Sequence, residues 1–535
     1  MKSIPKIETI HGKKILTVKG QPFIMLAGEV HNSNSSSLAC MEKVWEQAAA
    51  LGMNCLLLPV TWELVEPEEG KFDFSLVKGL IEQARQREMK IGLLWFGAWK
   101  NAQCYYAPDW VKTDLERFKR AQVVKGKNFI RNQAYYGMPY TTLSYLCNNT
   151  LEADSRAFSH LMAFLREYDG EENTVVSVQV ENETGVMGAA RENSDEADAL
   201  FASTVPQDFV DFMASHTDSM VEDVREAVHN GKPSGSWAEV FGPVAEEIFS
   251  AYYVSSYVNA VAEAGKREYP IPMTANCWLN KEGDAPGVYP SGGPVSRVIE
   301  VWQYCAPSID VIAPDIYVPN FKKICDEYTC RGTPLYIPEC ATHSYASSRA
   351  IYCIGHYHAM CYSPFGFEDM GKPFEGSMGF LFGMDVSDPA LKTPQNVEEY
   401  GLVNRYLTQL MPLITSKYGT DQLQAACAEV EKMASFAMGR YRINAVFNSR
   451  LLSRVDGGCL VLQESEDSFY LLVKGATLQF LSNDPEKQSL DILTLEEGCF
   501  EDGKWIRSRR LNGDEVAVTN YPDPTLLHVR LFAYD

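Results

Sequence analysis

The feature that most constrains this chain is a recurrence. Short segments that are apolar throughout, rather than at every second residue, return along most of its length with helix-length stretches between them. "PFIMLAGEV" (Pro22 to Val30) precedes a helical stretch around Leu38 to Leu51. "MNCLLLPVTW" (Met53 to Trp62) precedes "FSLVKGLIEQARQREM", where Leu76, Leu80, Ile81 and Ala84 repeat at helical spacing. "KIGLLWFGAW" (Lys90 to Trp99) follows, then the helix "SRAFSHLMAFLREY" and the strand that opens "VVSVQVENETG" (Val175 to Gly185). "PIPMTANCW", "DVIAPDIYV", "TPLYIPECA" and "SPFGFED" bring the strand candidates to eight.

A strand that is apolar on both faces is buried on both, which predicts a parallel sheet covered by helices. Eight such units predict an α/β fold, a (β/α)8 TIM barrel over residues 1–418, longer than the usual ~250 residues because of insertions. The insertions fall after the third strand (Lys100 to Ser155) and after the fourth (Val186 to Pro233), on the face where barrel active sites lie. A doubly wound open sheet is disfavoured, because "AGEVHNSNSSS" stands where a Gly-rich phosphate loop would follow the first strand. "TPQNVEEYGLVNRYLTQLMPLI" reads as a helix capped by Thr393 with Pro394 at its first position. Beyond it "CLVLQESEDSFYLLVKGATLQFLS" and "DEVAVTNYPDPTLLHVRLFAYD" alternate and break at "DGG", "NDP" and "NGD". Residues 419–535 therefore read as an antiparallel β-sandwich domain.

Charge narrows the partners. Among 535 residues, 48 Lys and Arg face 70 Asp and Glu, for a net charge of -22. Such a surface repels nucleic-acid phosphates and anionic lipid, so neither is expected as a partner. No segment offers an export signal or 18 uninterrupted apolar residues, and the expectation is a cytoplasmic protein. The 14 cysteines fit that compartment as buried thiols. There is no C-x-x-C, and nothing pairs Cys325 and Cys330 with nearby histidines, so no metal and no cofactor are expected. His356 and His358 in "GHYHAM", two apart on a helix, would face opposite ways and read as packing or surface residues.

The chemistry gathers at strand ends. Glu29, Glu63, Glu183, Asp315, Glu339 and Glu368 each follow or close a predicted strand, where a barrel points side chains into its mouth. Strands four and seven face each other across a barrel axis, so Glu183 and Glu339 oppose one another. Two opposed carboxyls are what glycosidic bond cleavage needs: one protonates the leaving oxygen, and the other attacks the anomeric carbon or activates water. Spacing alone does not choose between Glu181 and Glu183, which share a side in strand alternation. Trp62, Trp99, Trp278 and Tyr317 lie among these acids, and aromatic faces beside acids and amides suit a pyranose. Trp95, inside its strand, reads as core.

"QVENETG" (Gln179 to Gly185) resembles the acid/base segment of the glycoside hydrolase family 35 β-galactosidases, close to Q-x-E-N-E-Y-G. "YIPECATH" is similar to the seventh-strand nucleophile segment of the wider clan of retaining barrel glycosidases, and "LLLPVTWELVEPEEGKFDF" to the family's second-strand segment. The resemblance implies Glu183 as acid/base, Glu339 as nucleophile, and Asn182 as the ligand of the sugar 2-hydroxyl. It implies double displacement with retention, on terminal β-galactose of an oligosaccharide. The departures lie in the pocket. Trp99, Lys100 and Asn101 stand where an acid and a Trp usually grip the sugar, and Glu29, His31 and Asn32 replace much of the first-strand segment. The expected substrate-binding set is thus Glu29, His31, Asn32, Trp62, Trp99, Lys100, Asn101, Asn182, Tyr317 and Glu368. These changes resemble a bacterial branch of the family with one short C-terminal sandwich. Alternatives are a β-glucosidase, glucosaminidase or transglycosidase of the same mechanism, and a non-catalytic carbohydrate-binding protein. Self-association is left open.

Overall fold

The computed structural model describes residues 3–132, 138–318, 320–373, 392–448, 452, 455–517 and 519–535. Eight strands form one parallel sheet: β1 (Met25–Glu29), β2 (Cys55–Thr61), β3 (Lys90–Phe96), β4 (Val175–Val180), β5 (Met273–Trp278), β6 (Val311–Asp315), β7 (Tyr336–Ile337) and β8 (Cys361–Tyr362). Their order runs β6-β5-β4-β3-β2-β1-β8-β7, and a parallel bridge between Ile316 and Cys340 joins the two ends. The barrel predicted from the recurrence is therefore present, with a thin seam between β6 and β7.

Alternation explains why these strands had to be apolar on both faces. Met25 and Ala27, Cys55 and Leu57, Leu94 and Phe96, Val311 and Ala313 point inward with Val176, Tyr336 and Cys361. The residues between them pack outward on the helices. Leu16 and Val18, from an N-terminal antiparallel sheet (Lys6–Ile10, Lys13–Val18, Gln21–Pro22), join the inward cluster. Helices α1 (Leu38–Ala50), α2 (Ser75–Gln86), α3 (Asn148–Asp169) and α4 (Ala245–Glu268) cover the outside. Leu80, Ile81 and Ala84, predicted as one helical face, are all fully buried.

Two element predictions need correction. The eighth strand is Cys361–Tyr362, ahead of "SPFGFED": Pro364 offers no N–H, and Gly366 turns the chain at φ 60°. The late helix is Val397–Lys417, capped by Asn396, whose side chain accepts from the Glu399 N–H at 3.0 Å. Thr393 and Pro394 instead lie alongside the seventh-strand loop, with the Ser344 N–H donating to the Thr393 carbonyl at 3.0 Å.

Antiparallel strands begin at Leu423 and form a six-stranded and a four-stranded sheet with a core of their own. This unit is bolted to the barrel. Arg349 donates twice to Glu429, and the fully buried Lys474 ammonium meets Ser347 Oγ at 2.7 Å, Glu399 Oε1 at 2.6 Å and Asp456 Oδ2 at 3.2 Å. All 14 cysteines are free. No described helix is long and apolar enough to cross a membrane.

Candidate active site

Strand β4 ends at Val180, and the chain turns sharply at once. Glu181 and Glu183 both adopt left-handed backbone, at φ 63° and 47°. Across from them, after β3, Asn101 and Ala102 do the same at φ 53° and 54°. Side chains pay for such conformations, and they persist only where the surroundings impose them. Here the two turns hold one another: the Ala102 N–H donates to the Glu183 carbonyl at 2.9 Å, and the Asn101 N–H to Asn182 Oδ1 at 3.4 Å. Hydroxyls of Tyr140 and Thr142 take up the Asn101 and Ala102 carbonyls.

Glu339 leaves β7 opposite. Tyr317 donates its hydroxyl hydrogen to Glu339 Oε2 at 2.9 Å. Asn182 and Asn276 reach Oε1 through their amides at 3.5 and 3.4 Å. Asn276 also donates to Asp315 Oδ2 at 2.8 Å and accepts the Glu183 N–H at 2.9 Å. One side chain thus ties three acids together. Single carboxylate oxygens of Glu183, Asp315 and Glu339 all lie within 4.8 Å of one another. They are the one group among the described residues placed to hold a metal ion. The buried ammonium of Lys100 already supplies positive charge to all three, with its Nζ 5.0 Å over the Phe96 ring.

Burial and mutual repulsion act on the acids around Glu339. Burial, then the charge of Glu339, pushes Glu183 up to about 8, while Lys100 and a hydrogen bond with Asp315 pull the other way. Burial raises Asp315 and Glu29 well above the carboxylate range, again helped by Glu339. Burial and the neighbouring Glu339 thus favour the protonated form of Glu183.

The expected binding residues divide. Glu29, Lys100, Asn182 and Tyr317 converge on the acid pair. Glu29 is fully buried at the end of β1, with neither carboxyl oxygen hydrogen-bonded. Glu368 accepts the His31 N–H at 3.0 Å and Asn34 Nδ2 at 2.8 Å, so it ties the eighth loop to the first. His31 itself sits at the rim, bound to Asp369 at 2.9 Å. Asn101 contributes backbone, and its side-chain oxygen is buried without a partner. Asn32 lines a separate cavity of about 220 Å³ with Glu63 and Leu76. Two readings are corrected. Trp62 is fully buried, its Nε1 donating to Glu66 and its ring edge-on to Trp110. Trp99 is as deeply buried, donating to the Gly185 carbonyl and packed edge-on to Tyr257. Neither has a face free for a sugar. Asn276 was missed, although a polar residue in the middle of the buried run "MTANCW" is the signal that marks it. His356 is exposed and stacks on Tyr352, while His358 is buried against Tyr418; the chain before His358 is a π-helix, and His358 itself is left-handed.

Residues 15–95 match the model of glycosyl hydrolases family 35. The family read from the sequence is the family this part of the barrel matches. Residues 402–520 match a domain of unknown function, DUF5597. No curated protein matches the chain. Among solved structures the chain is similar to the catalytic domain of β-amylase from Paenibacillus polymyxa, at 12% identity over 68% of this chain and 97% of that one, TM-score 0.41. It is similar to the β-galactosidase from Rahnella sp. R3, at 13% identity over 73% and 56%, TM-score 0.44. The β-galactosidase from Marinomonas ef1 gives 13% identity over 73% and 60%, TM-score 0.45. The chain spans less than two thirds of either β-galactosidase.

Proposed function

We propose that this chain is a glycoside hydrolase, a retaining, exo-acting β-glycosidase, and within that class a β-galactosidase that removes terminal β-galactose from oligosaccharides. The observation that carries the mechanism is the closeness of Glu183 and Glu339, one oxygen of each lying within 4.8 Å of the other. Inverting enzymes need room for a water between their acids, at about 6.5–9.5 Å, whereas retaining ones place them about 5–5.5 Å apart.

In this reading Glu339 attacks the anomeric carbon as a carboxylate, held by Tyr317 and the two amides. Glu183, raised by burial and by Glu339, gives its proton to the leaving oxygen. The glycosyl ester on Glu339 then meets a water whose proton returns to Glu183, and the sugar leaves with its configuration retained. Exo action is carried over from the family resemblance. The assignment of galactose rests on the family alone. A β-glucoside or β-glucosaminide would be cleaved by the same machinery.

Hydrolysis of nitrophenyl α- and β-glycosides by the wild type and Glu339→Ala tests this. Release from the β-galactoside, lost in the variant, supports the proposal. Release from another β-sugar keeps the mechanism and discards galactose. Loss of neither activity in the variant, or inversion at the anomeric centre, overturns it.

A further inference from the structure

Behind the catalytic pair lies a second pair of acids. Asp154 stands on α3 and Glu181 just past β4, and both are fully buried. Donors surround them: Trp95 Nε1 gives to Asp154 Oδ1 and the Tyr257 hydroxyl to Asp154 Oδ2, both at 2.9 Å. The Trp99 N–H gives to Glu181 Oε2 at 2.8 Å. That leaves Glu181 Oε1 with no such donor. It faces Asp154 across Gly97, where an added Cβ would sit 2.5 Å from Glu181 Oε1 and 2.7 Å from Asp154 Oδ1. Only a glycine lets the two carboxyls meet there.

The groups packed around the pair carry no compensating charge. β3 presents Trp95, and α4 presents Tyr257, with Cys147 beyond it. Lys100 acts on the mouth acids instead. Two carboxylates in such a dry setting repel, and one retained proton removes the repulsion. Burial raises both acids, Glu181 further by the charge of Asp154.

We infer that Asp154 and Glu181 share one proton and act as a positioning pair, clamping the Trp99 backbone and through it the turn that sets Lys100 and Glu183 against each other. The chain of contacts is continuous. Glu181 holds the Trp99 N–H, Trp99 holds the Gly185 carbonyl, and two residues beyond Lys100 the Ala102 N–H holds Glu183. Tyr257 closes the ring by packing on Trp99 while donating to Asp154. The pair touches no substrate.

The test compares Glu181→Gln with Glu181→Ala, and Asp154→Asn as a second neutral variant. Infrared difference spectra at neutral pH should show a protonated carboxylic acid band in the wild type that Glu181→Gln or Asp154→Asn removes, distinct from the band that Glu183→Gln removes. Glutamine keeps a neutral acceptor for Trp99 and an amide for Asp154, so kcat should stay within about threefold of wild type, whereas alanine should lower kcat by about thirtyfold with KM changed less. A wild-type spectrum with no acid band lost in either neutral variant overturns the inference. So does a folded glutamine variant as impaired as alanine. The activity arm rests on the glycosidase reading. The infrared arm does not, so an enzyme silent on every glycoside still decides the shared proton.

Discussion

Tyr317 and Glu339 meet twice over: the Tyr317 hydroxyl donates to the Glu339 carboxylate at 2.9 Å, and the N–H of its neighbour Ile316 donates to the Glu339 carbonyl, also at 2.9 Å. Glu339, the proposed nucleophile, is therefore oriented by the chain that leaves the neighbouring strand. Tyr317→Phe keeps the ring and the backbone bond and removes only the hydroxyl. A hydrogen bond to a charged group contributes about 1.5–3 kcal/mol, so kcat/KM should fall by about 10–100-fold with the thermal midpoint little changed. Steady-state kinetics on the substrate found in the glycoside panel checks this, and an unaltered kcat/KM contradicts it.

The acid role proposed for Glu183 predicts an alkaline limit. With its carboxyl pushed up to about 8, the donating form is lost as pH rises through that value, and kcat/KM should fall there. Lys100 is among the groups that hold Glu183 down. Lys100→Met should move the alkaline limb to higher pH while lowering the maximum rate. A pH profile whose alkaline limb stays put in the variant separates Lys100 from Glu183.

Stability should depend on pH in the same sense. Glu29, Glu181, Asp315 and Glu183 are all raised in the folded chain. Their contribution is complete below the unfolded carboxyl values near 4 and is lost as pH rises towards the folded ones. Lowered surface acids such as Asp326 and Glu464 act the other way, and their contribution fades as pH falls. The denaturant midpoint should thus be higher near pH 5.5 than near pH 8.5, and Glu183→Gln should flatten the decline. A midpoint that climbs over that interval refutes the account.

Lys474 tests the bond between the two units. Removing one partner of a buried ionic group strands the others, at a cost of about 3–5 kcal/mol. Lys474→Met should destabilise by that order, because the buried ammonium that joins Ser347, Glu399 and Asp456 is lost. Guanidinium unfolding measures it. A change under about 1 kcal/mol would show that water reaches these groups.

The barrel was legible because a strand buried on both faces must be apolar at every position, and few other folds ask for that eight times. Its weakest reading was the eighth strand, where two paired residues leave too short a run to separate from the loop after it. Glu183 and Glu339 were legible for a related reason: an acid directly after a buried strand has nowhere to go but the mouth. Trp62 and Trp99 misled because an aromatic near acids looks the same in sequence whether its face is open or covered. Only the partners, Glu66 and the Gly185 carbonyl, reveal that both are covered. Asp154 was beyond reading, since its role depends on helix α3 passing behind Glu181, a relation with no trace in local spacing.

Strands β7 and β8 pair over two residues each, and the seam to β6 hangs on the bridge at Ile316 and Cys340. Free energy of local opening follows the number of bonds that must break together, so this seam is where the wall should breathe first. Glu339 stands on it. Warming should then silence the enzyme before the chain melts, with amide exchange fastest around residues 335–340. A sugar gripped between Glu183 and Glu339 would act as a suture across the gap, and a tight inhibitor should protect those amides more than any others.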